Sequence, residues 1–233
     1  MIMTEPQLLF VYGNAAAGRD NDFNTWYDQH IREMTGVAGV HSGQRFAALD
    51  SEFAKAFPLP PAPYLSRYEF EGDPDAMWAG VVAGIKSGAV TMSDSVEPSA
   101  VLMQVWAPHK GRIDNESSTP RDERGFYFVF GNALEGKDEV YNDWYDNTHL
   151  PEVLAVPGVL SAQRYTLAEP ECTKRTPVTH RYLAAYEFEG SADAIMTVMR
   201  EKSASGEMNM HPSLDLQTVR MSFWNPLTPK VTA

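Results

Sequence analysis

The feature that most constrains this 233-residue chain is an internal repeat. Residues 24–46 read NTWYDQHIREMTGVAGVHSGQRF, and residues 142–165 read NDWYDNTHLPEVLAVPGVLSAQRY. Further matches lie about 118 residues apart, and they include Gly13 with Gly131, Tyr68 with Tyr186, and Trp106 with Trp224. The matches cover nearly the whole chain, so the fold has to accommodate one unit written twice.

Both units show the same order of hydrophobic patterns, which predicts strand, helix, strand, strand, helix, strand. The predicted strands are 8–12, 39–49, 64–70 and 100–106 in the first unit, and 127–130, 158–167, 182–188 and 217–224 in the second. The second helices are predicted at 74–87 and 192–202, and turn-rich loops at 50–63 and 168–179. The polar stretch 109–125 lacks periodicity and predicts a linker between units 1–108 and 126–233, and residues 225–233 predict a loosely held tail.

The first helix of the second unit carries an aromatic stripe at helical spacing, which includes Tyr141, Trp144 and Tyr145. His149 follows Tyr145 by four residues and therefore falls on the same face. Pro151 cannot continue a regular helix, so the axis is expected to break and restart there. This pattern places the imidazole at a kink, where it could face a cavity, although a histidine among aromatic residues can equally be part of the core.

Composition excludes several classes of function. A formal net charge of -12, with 19 basic and 31 acidic residues, argues against nucleic acid and against an anionic membrane surface as partners. No apolar run is long enough to cross a bilayer, and residues 1–7 lack the pattern of a secretory signal, so a cytoplasmic location is expected. Cys172 is the only cysteine, which rules out an internal disulfide and a cysteine-based zinc site, and it is interpreted as an incidental thiol.

The histidines show no close pair with metal-ligand spacing, and the sequence contains neither a glycine-rich phosphate loop nor a Gly-x-Ser-x-Gly motif. Cofactor-independent chemistry is therefore expected, with no metal.

The element order predicts the α+β class. A βαββαβ unit forms a four-stranded antiparallel sheet with two helices on one face, which leaves the other face to be covered. Two such sheets can cover each other by closing an eight-stranded barrel, which has room for packed side chains or one small ligand. We therefore expect a single-chain pseudo-dimer, which could still form a homo-oligomer through its outer surfaces.

The repeat also resembles a known family. The motif WYDNTHLPE at 144–152, followed by PGV at 157–159 and QRY at 163–165, is similar to the dimeric α+β barrel superfamily of ferredoxin-like units, and within it to the EthD-like branch. The resemblance implies a pocket between sheet and helices in each unit, lined by the first-helix histidine and nearby aromatic residues. The first copy departs from the motif by one missing residue and by Arg32 in place of Pro151, which suggests that the two pockets are not equivalent.

Members of that superfamily include cofactor-free isomerases, polyketide cyclases, monooxygenases and haem proteins, and the fold alone does not choose among them. The first hypothesis is a lyase or isomerase that acts on a small aromatic, lactone or polyketide-like substrate, with His149 as general acid or base. Tyr145 would donate a hydrogen bond to a developing oxyanion. His30 and Tyr27 are the counterparts of this pair in the first unit.

Several further residues are candidates for binding substrate. They are Asn132 and Asn14 at the ends of the first strands, Trp144 and Trp26 beside the histidines, His211 before the last strand, and Arg164 on the second strand. The asparagines are also typical of Gly-Asn turns. Arg164 and Arg45 could bind a substrate carboxylate, but cross-strand ion pairs with Glu187 and Glu69 are the favoured explanation.

Two alternatives of other classes stay open. One is a barrel that binds an apolar ligand or partner without chemistry. The other is haem binding through a histidine, or a cofactor-free monooxygenase.

Overall fold

The computed structural model describes residues 5–50, 52–53, 55, 60–174, 176–177 and 179–233. Residues 1–4, which belong to the segment expected to lack a secretory signal, lie outside these ranges. Parts of the two predicted turn-rich loops also lie outside them, at 51, 54, 56–59, 175 and 178.

The described residues form nine strands and five α-helices. The strands are β1 Gln7–Gly13, β2 Val40–Ala48, β3 Tyr64–Phe70, β4 Leu102–Asp114, β5 Gly125–Gly131, β6 Val159–Ala168, β7 Tyr182–Phe188, β8 Arg220–Pro226 and β9 Val231–Thr232. The helices are α1 Asp20–Thr35, α2 Pro74–Ser87, α3 Asp138–Trp144, α4 Leu150–Leu154 and α5 Ala192–Ser205. In the described part of the chain, no helix is both long and apolar enough to cross a membrane.

The period-two and helical patterns locate the elements well. The predicted bounds of β3, β7 and α2 agree with the structure to the residue. Asp73 caps α2 by accepting hydrogen bonds from the backbone N–H groups of Asp75 and Ala76, and Gly88 ends that helix in the left-handed conformation. Ser191 and Gly206 take the same positions around α5, so the caps explain where both helices begin and end.

The strands form a closed barrel of eight. Their order is β3, β1, β4, β6, β7, β5, β8, β2, and β2 pairs with β3 to complete the ring. The predicted eight-stranded barrel is therefore confirmed. A cluster of buried residues takes members from all eight strands, among them Phe10, Trp106, Phe128 and Trp224, and it fills the interior with aromatic side chains.

The helices pack outside the ring, so each forms a second layer with the outer face of its strands. One outer core joins α3, α4 and α5 to β5, β6 and β7. The other joins α1 and α2 to β1, β2 and β3. A ligand site between sheet and helices would therefore lie outside the barrel wall.

Two segments that were expected to be irregular belong to the sheet. Strand β4 continues to Asp114, and Lys110 and Ile113 pair with Arg164 and Ala162 of β6, so residues 109–114 are strand instead of linker. Strand β9, within the predicted loose tail, pairs with Ser42 and Gly43 of β2. Both expectations were wrong for the same reason: main-chain hydrogen bonds to a neighbouring strand do not require an alternating hydrophobic pattern.

The arginines on the second strand of each unit fasten the first helix to the sheet. Arg164 is fully buried and donates to Asp146 Oδ1 at 2.7 Å and to Asn142 Oδ1 at 2.8 Å. Its guanidinium also lies 4.4 Å from the ring centroid of Tyr145. Arg45 repeats this arrangement with Asp28 at 2.9 Å, Asn24 at 2.6 Å and the ring of Tyr27.

The favoured cross-strand pairs with Glu69 and Glu187 were therefore wrong. In the register of β2 and β3, Ser66 lies opposite Arg45 while Glu69 lies opposite Ser42, so Arg45 is directed to the helix. Glu187 instead accepts hydrogen bonds from the two terminal guanidinium nitrogens of Arg112, at 2.7 and 2.6 Å. Glu69 accepts a hydrogen bond from the ammonium group of Lys230 at 2.6 Å.

We predict that Arg164→Met lowers the free energy of unfolding by about 3 kcal/mol, because it leaves a buried carboxylate without its cation. The matched variant Arg45→Met should cost less by about 1 kcal/mol or more, since the side chain of Asp28 is 62% exposed and that of Asp146 only 17%. Urea denaturation of both variants measures the difference. Equal losses would contradict the role assigned to burial of Asp146.

Candidate active site

The first helix of the second unit does not break at Pro151. Residues Tyr145–His149 form one π-helical turn between α3 and α4, in which the N–H of Leu150 donates to the carbonyl of Tyr145. A π turn takes one residue more than an α turn, so the helix continues through the proline. Pro151 lies in the first turn of α4, as the predicted restart requires, and the interruption before it takes the form of a π turn.

This extra residue restores the geometry of the repeat. His30 follows Tyr27 by three residues, whereas His149 follows Tyr145 by four. Even so, His30 stacks on Trp26 at 4.5 Å between ring centroids, and His149 stacks on Trp144 at 4.9 Å. Each imidazole also meets its tyrosine edge to face, with interplanar angles of 87° and 88°. The π turn therefore places His149 where the shorter α-helix places His30.

The two histidines differ in their hydrogen bonds. In the first unit, Nδ1 of His30 lies 3.0 Å from the carbonyl oxygen of Thr91. Glu33 accepts from the N–H of Thr91 at 2.7 Å and from its hydroxyl at 2.8 Å. Burial lowers the pKa of His30, against the smaller opposing effects of Glu33 and Thr91. Thr91 thus holds both the imidazole and the carboxylate in fixed positions.

In the second unit this connection is missing. The residue at the position of Thr91 is Asn209, and its side chain donates to the carbonyl of Gly206. Nδ1 of His149 and Oε2 of Glu152 are both buried without a hydrogen-bond partner among the described residues, and they lie 3.6 Å apart. That distance is too long for a hydrogen bond, but it brings the carboxylate beside the ring.

The environment keeps His149 uncharged at neutral pH. Burial, with a smaller contribution from the positive charge of Arg164, lowers the pKa of His149 to about 4. Burial also raises the pKa of Glu152. A neutral imidazole has one nitrogen with a free lone pair, so His149 is in the form that acts as a base, and the lowered pKa makes it a weaker base than an exposed histidine.

A cavity of about 410 Å³ adjoins His149 and Tyr145. Five methionines contribute to its lining: Met196, Met199, Met208, Met210 and Met221. Such a wall is apolar and adapts to the shape of a ligand. The volume falls within the range typical of small-molecule sites, so the predicted pocket beside the first-helix histidine is present in the second unit.

Phenol groups supply hydrogen-bond donors to this apolar cavity. Tyr127, Tyr145 and Tyr186 all line it, and the hydroxyls of Tyr145 and Tyr186 lie 3.2 Å apart. Tyr127 stacks on Tyr186 at 4.5 Å, and its buried hydroxyl has no partner among the described residues. Burial raises the pKa of all three, so each phenol stays protonated and can donate.

Phe53, from the loop after β2 of the first unit, also lines the cavity of the second unit. Its N–H donates to Asp193 at 3.2 Å near the start of α5, and its ring meets Phe223 edge to face at 6.5 Å. In the reciprocal contact, the backbone N–H of Glu171 in the second unit donates to the side-chain carboxylate of Asp75 in α2 at 2.8 Å. Each unit therefore lends a loop to the other, and the cavity has walls from both.

The first unit has a larger side chain at one of the corresponding positions. Trp78 of α2 stands at the position of Met196 and packs against the outer core of the first unit. Cys172, from the loop lent by the second unit, is buried in the same core, and burial raises the pKa of its thiol to about 11. The thiol therefore has the packing role expected of an incidental cysteine.

Three of the remaining candidate residues make contacts with other side chains of the protein. His211 also stacks on Trp144, at 5.8 Å between ring centroids, and Nδ1 of His211 lies 2.8 Å from the hydroxyl of Ser213. Trp26 donates from its indole N–H to Thr91 at 3.2 Å. Arg164 is engaged with Asp146 and Asn142, so its guanidinium supports the helix.

The asparagines hold main chain in place. Asn132 donates to the carbonyl of Thr179 at 2.9 Å and accepts from the N–H of Arg181 at 2.7 Å. The side chain of Asn14 accepts from the N–H of Ala15 at 2.9 Å. These bonds are typical of the turn role that the Gly-Asn pairs also indicated. Within the described ranges, no group of three or more His, Cys, Asp or Glu side chains is arranged to hold a metal ion.

Sequence reasoning missed Tyr127, Glu152, Phe53 and the methionine wall as parts of the site. The sequence could have identified Glu152, because this residue falls within the repeated motif three residues after His149. Tyr127 and Tyr186 lie on strands and face outward to the helices, which the alternation of β5 and β7 allows but does not single out. Phe53 had no signal, since nothing local indicates that its loop crosses to the other unit.

No family model matches the chain, and no curated protein matches it by sequence. Solved structures do match its fold. An anthrone oxidase-like protein has a TM-score of 0.58 and 12% identity, covering 100% of this chain and 94% of the other. A candidate monooxygenase from Lactobacillus acidophilus NCFM has a TM-score of 0.54 and 8% identity, with coverages of 98% and 96%. A mutant chlorite dismutase from Candidatus Nitrospira defluvii has a TM-score of 0.53 and 10% identity, with coverages of 97% and 93%.

These likenesses extend over nearly the full length of each chain. They show that the chain has the dimeric α+β barrel fold. At such low identity they define the fold alone, so the function has to be argued from the site.

We predict that His149 makes the free energy of unfolding depend on pH below about 6.5. Its folded pKa of about 4 lies below the value near 6.5 of an exposed imidazole, so the unfolded chain binds the proton first as the pH falls. The resulting stability is present above pH 6.5 and is lost between pH 6.5 and about 4. His149→Gln should reduce the slope of unfolding free energy in this window by about 1 kcal/mol per pH unit, measured by urea denaturation.

The control is His41→Gln, which removes an imidazole whose side chain is 47% exposed. It should keep the slope of the natural protein. A His149→Gln variant with an unchanged slope would show that this imidazole is not buried in its neutral form.

Proposed function

We propose that the cavity of the second unit binds a small aromatic or polyketide-like substrate, and that His149 takes a proton from it without a cofactor. The observation that carries this proposal is the neutral imidazole of His149 at the wall of an apolar cavity of about 410 Å³, with a buried Nδ1 that has no hydrogen-bond partner among the described residues. Buried polar atoms without partners are uncommon in folded proteins and often mark a functional site. The finer assignment as a lyase or isomerase is part of the same proposal.

Glu152 sets the direction of proton transfer in this proposal. With Nδ1–H of His149 turned toward the carboxylate of Glu152, the lone pair on Nε2 is available to the substrate. The carboxylate then stabilises the imidazolium that forms. Glu152 is thus a positioning residue, which acts through His149.

The chemical step breaks a substrate C–H bond next to a carbonyl, or a phenolic O–H bond, and forms an N–H bond on His149. The electron pair left behind moves to the substrate oxygen. A protonated phenol, of which Tyr127 has the free hydroxyl, can donate to that oxygen and stabilise its charge. Return of the proton to another carbon gives an isomerase or cyclase, and loss of a leaving group gives a lyase.

We assign this role to the second unit alone. His30 and Tyr27 have the same ring geometry, and the carbonyl of Thr91 takes the place beside Nδ1 of His30 that Glu152 has beside His149, so the assignment depends on the surrounding side chains. Trp78 occupies the position where the second unit has a methionine of the cavity wall. The first unit then serves as the structural half of the barrel, and it contributes Phe53 to the site.

A second candidate function is oxygenation without a cofactor. It is favoured by two of the similar structures, which are named as an anthrone oxidase-like protein and as a candidate monooxygenase. The first step is the same, because a deprotonated phenol or enol is electron-rich and can reduce dioxygen as the co-reactant. Oxygen uptake during turnover distinguishes the two candidates, since a lyase or isomerase consumes none.

Haem fits this site less well. Arg200 is the only Lys or Arg among the described residues of the cavity lining, whereas haem brings two anionic propionates. The imidazole of His149 is also stacked on Trp144, 4.9 Å away. Addition of haemin tests the hypothesis directly, because ligation through a histidine would produce a Soret band.

The resemblance to the EthD-like branch and the tandem duplication also belong to this proposal. They are supported by the recurring βαββαβ order and by the matching contacts of Arg45 and Arg164. The boundaries 1–108, 109–125 and 126–233 stay a prediction for the units, and strand β4 runs across the first of them to Asp114. Association of two copies through the outer surfaces stays a prediction.

We predict that His149→Gln lowers kcat/KM by about 10²- to 10⁴-fold, the usual contribution of a positioned acid or base. Turnover can be followed by absorbance with hydroxylated naphthalenes, lactones and their keto tautomers as trial substrates. The matched variant His30→Gln removes the equivalent imidazole of the first unit and should change kcat/KM by less than about threefold. Circular dichroism of both variants checks that the fold is retained.

A loss of activity in both variants alike would contradict the assignment to the second unit. Unchanged turnover in His149→Gln would leave a barrel that binds its ligand without this proton transfer.

A further inference from the structure

The rim of the cavity carries a positive charge in a suitable place for a ligand. Met196, Met199, Arg200 and Ser203 all line the cavity and follow one another on a single face of α5. Met196 and Met199 are buried, whereas Arg200 and Ser203 are exposed. Arg200 lies four residues beyond Met196, which is about 6 Å along the helix axis. The face therefore changes from apolar to polar toward the opening.

The guanidinium of Arg200 forms no ion pair within the part of the chain that the structure describes. Among the described residues, no carboxylate lies near enough to form an ion pair with it, although the chain carries a formal net charge of -12. The guanidinium lies over the ring of Phe53, 5.2 Å from the centroid. This contact orients the guanidinium at the cavity and leaves its N–H groups available.

The first unit lacks this feature. The residues at the positions of Arg200 and Ser203 are Val82 and Ile85. The polar rim is thus confined to the unit in which His149 is unpartnered and the cavity is open. Arg200 thus occurs in the same unit as the unpartnered Nδ1 of His149 and the cavity, which links its charge to the site.

We propose that the substrate is an aromatic acid whose carboxylate is bound by Arg200 and the hydroxyl of Ser203. The proposal rests on the proposed function, because it names the class of molecule that the same cavity takes. The aromatic body lies between the methionine wall and Phe53, and a phenolic or keto oxygen reaches Tyr127 and His149 inside. Guanidinium groups bind carboxylates through paired N–H donors, so Arg200 fixes which end of the substrate faces the imidazole.

The test compares 6-hydroxy-2-naphthoate with its methyl ester, which keeps the shape and removes the charge. Binding to the full chain is measured by fluorescence titration in 0.1 M salt. The natural protein is expected to bind the acid about fivefold or more tightly than the ester, as for a partly exposed ion pair. Arg200→Gln should remove this preference without changing the affinity for the ester, and Arg200→Lys should retain part of it.

The matched control is Arg121→Gln, which removes one positive charge at an exposed position where Arg121 pairs with Asp114. It should bind both ligands as the natural protein does. An equal affinity of the natural protein for acid and ester would overturn the inference and leave the proposed function intact. The same is true if Arg121→Gln loses as much preference as Arg200→Gln. Failure to bind either ligand would overturn the inference together with the proposed cavity.

Discussion

The pairing of strands between the two units is the constraint on which the rest of the structure depends. Each unit alone is a four-stranded sheet with one uncovered face, and the pairs β4 with β6 and β8 with β2 join the two sheets into a ring. Closure leaves no edge strand unpaired within the ring and buries one aromatic core from all eight strands. The helices must then pack outside, and the candidate active site lies between the second unit's helices and the barrel wall.

The first-helix histidine has different hydrogen-bond partners in the two units of the barrel. The ring geometry around His30 and His149 is nearly identical, but Thr91 ties down the first while Asn209 leaves the second unpartnered. The change from Trp78 to Met196 acts in the same direction, because it replaces a large rigid ring with a smaller flexible side chain. In the proposed function, a few substitutions at equivalent positions are therefore enough to make the two units different.

The electrostatics of the cavity follow from its burial. Removal from water favours the neutral forms of His149 and of the surrounding phenols, which makes the imidazole a proton acceptor and the phenols donors. Formal charges are kept to the edge, with Glu152 on one side of the imidazole and Arg200 at the rim. In the proposed mode of binding, this separation gives the substrate a polar end and a reacting end.

The sequence by itself determined the repeat, the order of elements and the relation of His149 to Tyr145, because these are written in local periodicity and in spacing within one helix. The closed barrel was predicted from the uncovered face of each four-stranded sheet, and pairing of strands between the two units completes it. The tertiary structure decided which unit has the cavity, which partners His30 and His149 have, and that Phe53 crosses to the other unit. It also decided that 109–114 is strand and that Arg164 bonds to the helix instead of Glu187. These outcomes depend on contacts between residues distant in sequence, such as Thr91 with Glu33 or Phe53 with Asp193, and no local pattern encodes which distant group a side chain meets.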